Sequence, residues 1–162
     1  MQAYIGSKMV AAKPMSRAEY NNYRGLQLPE GEDGEDDGYL VEYTDGGKAN
    51  DPRHEGYISW SPFNVFVKAY RPSLGMPFGL AIESLKKGLK VAREGWNGKN
   101  MFLFLVPGST FVVNRAPLLG IYPEGTEVNY CPHIDMKTAD NKIVPWLASQ
   151  TDVLAEDWAI IP

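Results

Sequence analysis

The sequence predicts an α+β fold in two small units, and three features of its 162 residues predict it. Short strand-like runs are joined by turn residues rather than by long helices, which favours antiparallel pairing. Phe78, Ile82, Leu85 and Leu89 recur at helical spacing, so one helix lays an apolar stripe on a sheet. Arg71 to Pro77, RPSLGMP, places two prolines and a glycine between two complete patterns. The expected organisation is a first unit over residues 1–71, a linker over 72–77 and a second unit over 78–162. In the second, an N-terminal helix should pack on a bent antiparallel sheet.

The first unit reads as follows. Tyr4 to Lys13 alternates weakly as a strand and stops at Pro14-Met15. Ser16-Arg17-Ala18-Glu19 has the spacing of a capping box, so a helix should run to about Arg24 and end at Gly25. Pro29 to Gly38, PEGEDGEDDG, is a solvated acidic loop, because its carboxylates lack the regular spacing and terminal Glu of a calcium loop. Tyr39 to Tyr43 and Tyr57 to Trp60 are strands, and Ser61-Pro62 should cap a helix with Val65, Phe66, Ala69 and Tyr70 on its apolar side.

In the second unit, the helix that opens at Phe78 ends near Gly88. Val91 to Val106, VAREGWNGKNMFLFLV, follows as strand, tight turn and strand. Phe111-Val112-Val113 is another strand, and Ile121 to Tyr130 reads as a loop punctuated by Pro123 and Gly125. Ile134 to Lys137 and Lys142 to Val144 form a hairpin. Ser149-Gln150-Thr151-Asp152 starts a helical turn with a second cap-like spacing, and Trp158 to Ile161 is the last strand.

Composition bounds the function. Hydrophobic residues make up 44% and aromatics 12%, ample for a core. The net charge of −4 argues against duplex nucleic acid as a partner, which draws on clustered Lys and Arg. Eight basic against eleven acidic residues precede Met76 and eight against nine follow, so the acidity belongs mainly to the first unit. A single cysteine, Cys131, leaves no internal disulfide, the N-terminus lacks a signal-peptide pattern, and no run of about 18 apolar residues could span a membrane. The expected location is intracellular.

The central hairpin carries the parts of a pocket for a flat anion. Trp96 is a large planar ring, Asn97 offers two donors and an acceptor, and Arg93 is a permanent cation with five donors. The same residues have a plain reading, with Trp96 capping the core, Asn97-Gly98 forming a type I′ turn and Arg93 solvated at an edge. Signs of chemistry are weaker. Cys131, His133 and Asp135 alternate and could mimic a nucleophile, base and orienter, but neighbours on one strand point in parallel and Pro132 interrupts them. With His54 as the other histidine of the chain, a metal cluster is not expected. No phosphate-binding glycine loop opens a helix.

The second half resembles a known family. The run from Phe78 to Glu94 leading into REGWNGK, then MFLFLVPGS, then PHIDMKTADNKIVPWLASQTDVLAEDW, is similar to the second family of Thoeris anti-defence proteins of bacteriophages, over Met76 to Ile161. The resemblance implies a non-enzymatic homotetramer, without cofactor, that binds cyclic ADP-ribose-type signals such as glycocyclic ADP-ribose, made by Thoeris TIR proteins, in the cytoplasm of the infected host. Some members also hold cyclic dinucleotides at a separate site, so these are a further candidate ligand. On this implication Trp96 stacks on adenine, Asn97 hydrogen-bonds the ligand, and Arg93 and Lys99 face the pyrophosphate. Asp135, Ser149, Gln150, Thr151 and Asp152 would meet ribose hydroxyls or the exocyclic amine. Two other classes compete: a hydrolase acting on the same signals, and a phage interaction or assembly protein without a small ligand. The first half, with AKPM, GYLVEYTDGG and GYISWSPFNVFVKAY, resembles another small phage family of unknown function.

Overall fold

The computed structural model describes residues 1–96 and 100–162 and divides into two compact units, Met1–Arg71 and Pro72–Pro162. Both are α+β.

In the first unit the elements are β1 (Val10–Pro14), α1 (Arg17–Arg24), β2 (Gly38–Tyr43), β3 (Tyr57–Pro62) and α2 (Phe63–Ala69). The three strands form an antiparallel sheet in the order β1-β2-β3. The predicted capping box is present: the Glu19 amide donates to Ser16 Oγ at 3.2 Å and the Ser16 amide to Glu19 Oε2 at 2.8 Å. Gly25 ends α1 at φ 66°, a left-handed conformation that costs glycine little. The acidic loop is not loose against this helix, because the carbonyls of Asp36 and Gly34 accept the first-turn amides of Arg17 and Ala18. Two expectations need correction. Residues 4–9 do not join β1, and Ser61 does not cap α2: β3 continues through it to Pro62, which has no side-chain oxygen to offer.

Alternation gives this sheet two different faces. Leu40 and Ile58 meet Tyr20 of α1 in one core, and Trp60 joins it, its indole N–H donating to the Met15 carbonyl at 2.9 Å. A side chain at Gly38 would come within 2.5 Å of both the Trp60 ring and the Ser61 carbonyl, which explains a glycine at the head of β2. On the opposite face Tyr39 stacks on Phe66 of α2 with centroids 4.1 Å apart.

The second unit holds β4 (Leu74–Met76), α3 (Phe78–Lys86), β5 (Lys90–Arg93), β6 (Phe102–Val106), β7 (Ser109–Val112), β8 (Glu127–Tyr130), β9 (His133–Lys137), β10 (Ile143–Pro145), α4 (Gln150–Val153) and β11 (Trp158–Ile161). Six strands make one antiparallel sheet in the order β10-β9-β6-β5-β11-β4, with α3 packed against β5, β11 and β6. Its core is Met76, Ala81, Leu85, Val91, Leu103 and Trp158. Here too the sequence reading is revised. The expected linker is mostly structure, since Leu74–Met76 pairs with β11 and precedes the helix in the sheet. Part of the expected loop before Tyr130 is β8, which pairs with β7 as a separate two-stranded ribbon. No helix among the described residues is long and apolar enough to cross a membrane.

Candidate functional site

Trp158 organises one end of the large sheet. Fully buried, it lies opposite Arg93 across the β11–β5 pair, so both side chains leave the sheet on the α3 face. Three rings surround it. Trp96 meets it edge-to-face at 5.6 Å, Trp146 at 6.0 Å, and Phe78 is tilted at 5.4 Å. The Trp158 indole N–H donates to the backbone carbonyl of Asp152 at 3.0 Å, which fixes α4 over the cluster. Trp96 itself is half-buried: it leaves β5 through a turn in which its amide donates to the Arg93 carbonyl at 3.3 Å, and part of its ring stays accessible.

Beside these rings lies an ion-pair network. Arg93 donates from Nε and Nη2 to the two oxygens of Asp157, at 2.8 and 3.3 Å, and from Nη1 to Asp152 Oδ1 at 3.0 Å. Three of its five N–H groups are thus committed. The Asp157 carboxylate raises the arginine's pKa, with help from Asp152, and the arginine in turn holds Asp157 below the ordinary carboxylate value. For Asp152, burial opposes the charge, but hydrogen bonds from Ser149 and Arg93 outweigh it and lower its pKa. The bonds from Ser149 belong to a second capping box: the Ser149 amide and Oγ reach Asp152 Oδ2 at 2.9 and 2.6 Å, while the Asp152 amide donates to Ser149 Oγ at 3.2 Å. Ser149 Oγ also lies 2.8 Å from Thr151 Oγ1.

The structure therefore gathers Trp96, Arg93, Ser149, Thr151 and Asp152 around one end of the sheet, with Gln150 exposed on the same short helix. Arg93 is not a solvated edge residue, because two carboxylates pin its guanidinium. Asn97 and Lys99 lie outside the described residues. Asp135 stands apart. Its strand neighbours Ile134 and Met136 pack into the core on the α3 face, so alternation puts Asp135 on the other face, where its Oδ1 is buried without a hydrogen-bond partner and lies 3.7 Å from His133 Nε2. Within one chain it cannot join the Trp96 cluster. His133 Nδ1 sits against the backbone carbonyl of Cys131 at 3.1 Å, and the thiol residue is exposed outside the strand. Among the described residues no group of three or more His, Cys, Asp or Glu could hold a metal ion.

Asp157 is the residue that sequence reasoning missed. It anchors Arg93 and also lies 3.4 Å from the Gly95 amide, steadying the turn that carries Trp96. Its proximity comes from the β11–β5 pairing, which continues past Trp158 and Arg93 as the Glu94 amide donates to the Asp157 carbonyl at 3.1 Å.

Fold and cluster together define a small α+β domain that presents a partly exposed tryptophan and a braced arginine at one end of an antiparallel sheet. The chain belongs to the Tad2-like family, whose model, described as a Thoeris anti-defense 2-like domain, matches residues 76–161. It is 51% identical over 86 residues to "Thoeris anti-defense 2" of Bacillus phage SP01, covering 53% of this chain and 94% of that protein.

Proposed function

We propose that the second unit is a phage immune antagonist that binds cyclic ADP-ribose-type signals of Thoeris TIR proteins, glycocyclic ADP-ribose among them. It sequesters them unchanged in the cytoplasm of the infected bacterium. Family membership supports the anti-Thoeris role. The observation that carries the binding reading is the half-buried Trp96, braced by Trp158 on one side and by the Arg93–Asp157 turn on the other. A ring held in this way accepts a planar base with little ordering cost, and two N–H groups of Arg93 that bond none of the described residues remain for a phosphate.

Tight sequestration needs an enclosed pocket, since nanomolar affinity corresponds to about −12 kcal/mol. In this proposal the enclosure comes from further copies of the chain in a homotetramer. The second face of the large sheet supports it, because Phe102, Phe104 and Ile161 alternate away from the α3 core and stay partly exposed. A subunit contact of that kind is also a way for Asp135 to approach a ligand held by a neighbour.

The test is recovery. The protein is saturated with glycocyclic ADP-ribose, incubated, then denatured, and the released material is chromatographed. The expected result is the intact ligand, one molecule per site, able to activate the Thoeris effector again. A linear or hydrolysed product, or protection by far fewer sites than ligand molecules, would overturn sequestration in favour of hydrolysis. Unaltered ligand with no measurable binding would favour an interaction protein.

A further inference from the structure

The first unit contains an open cleft, called the cavity below, that the anti-defence reading does not use. It measures about 410 Å³ and lies on the α2 face of the three-stranded sheet, where Tyr43 of β2 and Tyr57 of β3 end beside the Gly46-Gly47 turn. That volume falls within the range of roughly 300–1,000 Å³ that small-molecule sites occupy. We propose that this cavity binds a phosphate carried next to a flat ring, the chemistry of a mononucleotide or of one residue of a single strand.

Four observations lead there. The Tyr43 and Tyr57 rings are 6.2 Å apart and inclined by 44°, so they do not stack on each other, and Tyr57 is 47% exposed; a planar group can settle against the Tyr57 ring. Two ammonium groups share the cavity in a unit that is otherwise acidic. Lys8 Nζ stands 4.7 Å from the Tyr43 ring centroid, and Lys48 has no ion-pair or hydrogen-bond partner among the described residues. The same lining includes Gly46 and Gly47 at φ 128° and 104°, and no atom lies within 4 Å of where a Gly46 side chain would begin. Backbone without side chains lets an anion come close. The nearby carboxylates have hydrogen-bond partners of their own. Asp45 accepts the Met9 amide at 3.2 Å, and Glu42, on the opposite sheet face, is held by His54 at 2.7 Å and by the Glu55 and Gly56 amides.

A site-resolved titration tests this without interference from the second unit. The full chain, labelled with nitrogen-15, is titrated with AMP while the Gly46 and Gly47 amide signals are followed. AMP should shift both saturably. Adenosine and inorganic phosphate alone should each bind at least about tenfold more weakly, because each supplies half of the contacts. The double variant Lys8→Ala/Lys48→Ala should lose roughly ten- to a hundredfold in affinity, the scale of one or two charge-assisted hydrogen bonds, while Lys8→Arg/Lys48→Arg keeps most of it. Tighter binding of a short single-stranded oligonucleotide than of AMP assigns the site to a strand, and equal binding assigns it to the free nucleotide. If AMP leaves both glycine amides unmoved, if its shifts fall solely within residues 72–162, or if the double alanine variant binds like the parent, the proposal is wrong.

Discussion

Arg93 and Asp152 stand 59 residues apart in the chain and 3.0 Å apart in the fold. One is the last residue of β5, the other the end of a capping box on α4, and Trp158 ties to the same Asp152 through its backbone carbonyl. The cap, the ion pair and the aromatic cluster are therefore one mechanical unit. Loss of any member should loosen the turn that carries Trp96.

Trp96→Ala should weaken binding of glycocyclic ADP-ribose by roughly ten- to a hundredfold, corresponding to about 1–3 kcal/mol of base stacking, while the fold survives. Partial exposure of the ring argues for survival. Calorimetry beside far-ultraviolet circular dichroism checks both halves. Unchanged affinity would make the ring a bystander.

Trp158→Ala should behave differently. Removing a side chain of zero exposure with three ring neighbours should cost about 3–5 kcal/mol of the second unit's stability. Chemical denaturation followed by the amide signals of β5 and β11 would read it. A cost near zero would show that the cluster repacks.

Acid should destabilise the second unit. Asp157 and Asp152 have folded-state pKa values below their ordinary ones, so in acid the unfolded chain binds more protons, and stability rises with pH there. Their contribution is complete above about pH 4, the range of an unperturbed carboxylate, and is lost as pH falls through the lowered folded values. Denaturation midpoints measured across that range should fall with acidification, and Asp157→Asn should flatten the slope. An equally steep slope in that variant would refute the assignment.

Ser149→Ala should cost about 1 kcal/mol, the usual value of a lost N-cap. Because Ser149 also holds the carboxylate that meets Arg93, signal binding should weaken as well. Thr at the same position should restore both. Stability loss without any change in affinity would confine Ser149 to capping.

What the sequence revealed and what it hid divide by range. Both capping boxes were legible because their chemistry spans three residues, Ser16 with Glu19 and Ser149 with Asp152. The hairpin of β9 and β10 and the strand at Trp158 announced themselves by alternation. β4 did not: Leu74-Gly75-Met76 between prolines looks like a breaker, and only pairing with β11 makes it a strand. β8 is mostly exposed and polar, so no apolar alternation marked it. At the site, Trp96 and Arg93 stood out by type, whereas the Asp157 partner depended on a pairing between residues 64 apart. The separation of Asp135 from them followed from strand alternation, which becomes informative only once the neighbours are known to be core.

The large sheet ends in two edge strands of three residues each, β4 and β10, and the second of these finishes in Pro145, which has no amide hydrogen to donate. If the protein sequesters its signal as proposed, it works molecule for molecule and has to be made in bulk within a crowded cell. At such concentrations a long bare edge would invite neighbouring copies to zip into fibrils. Edges this brief give an incoming strand almost nothing to grip, so copies can crowd together without pairing edge to edge.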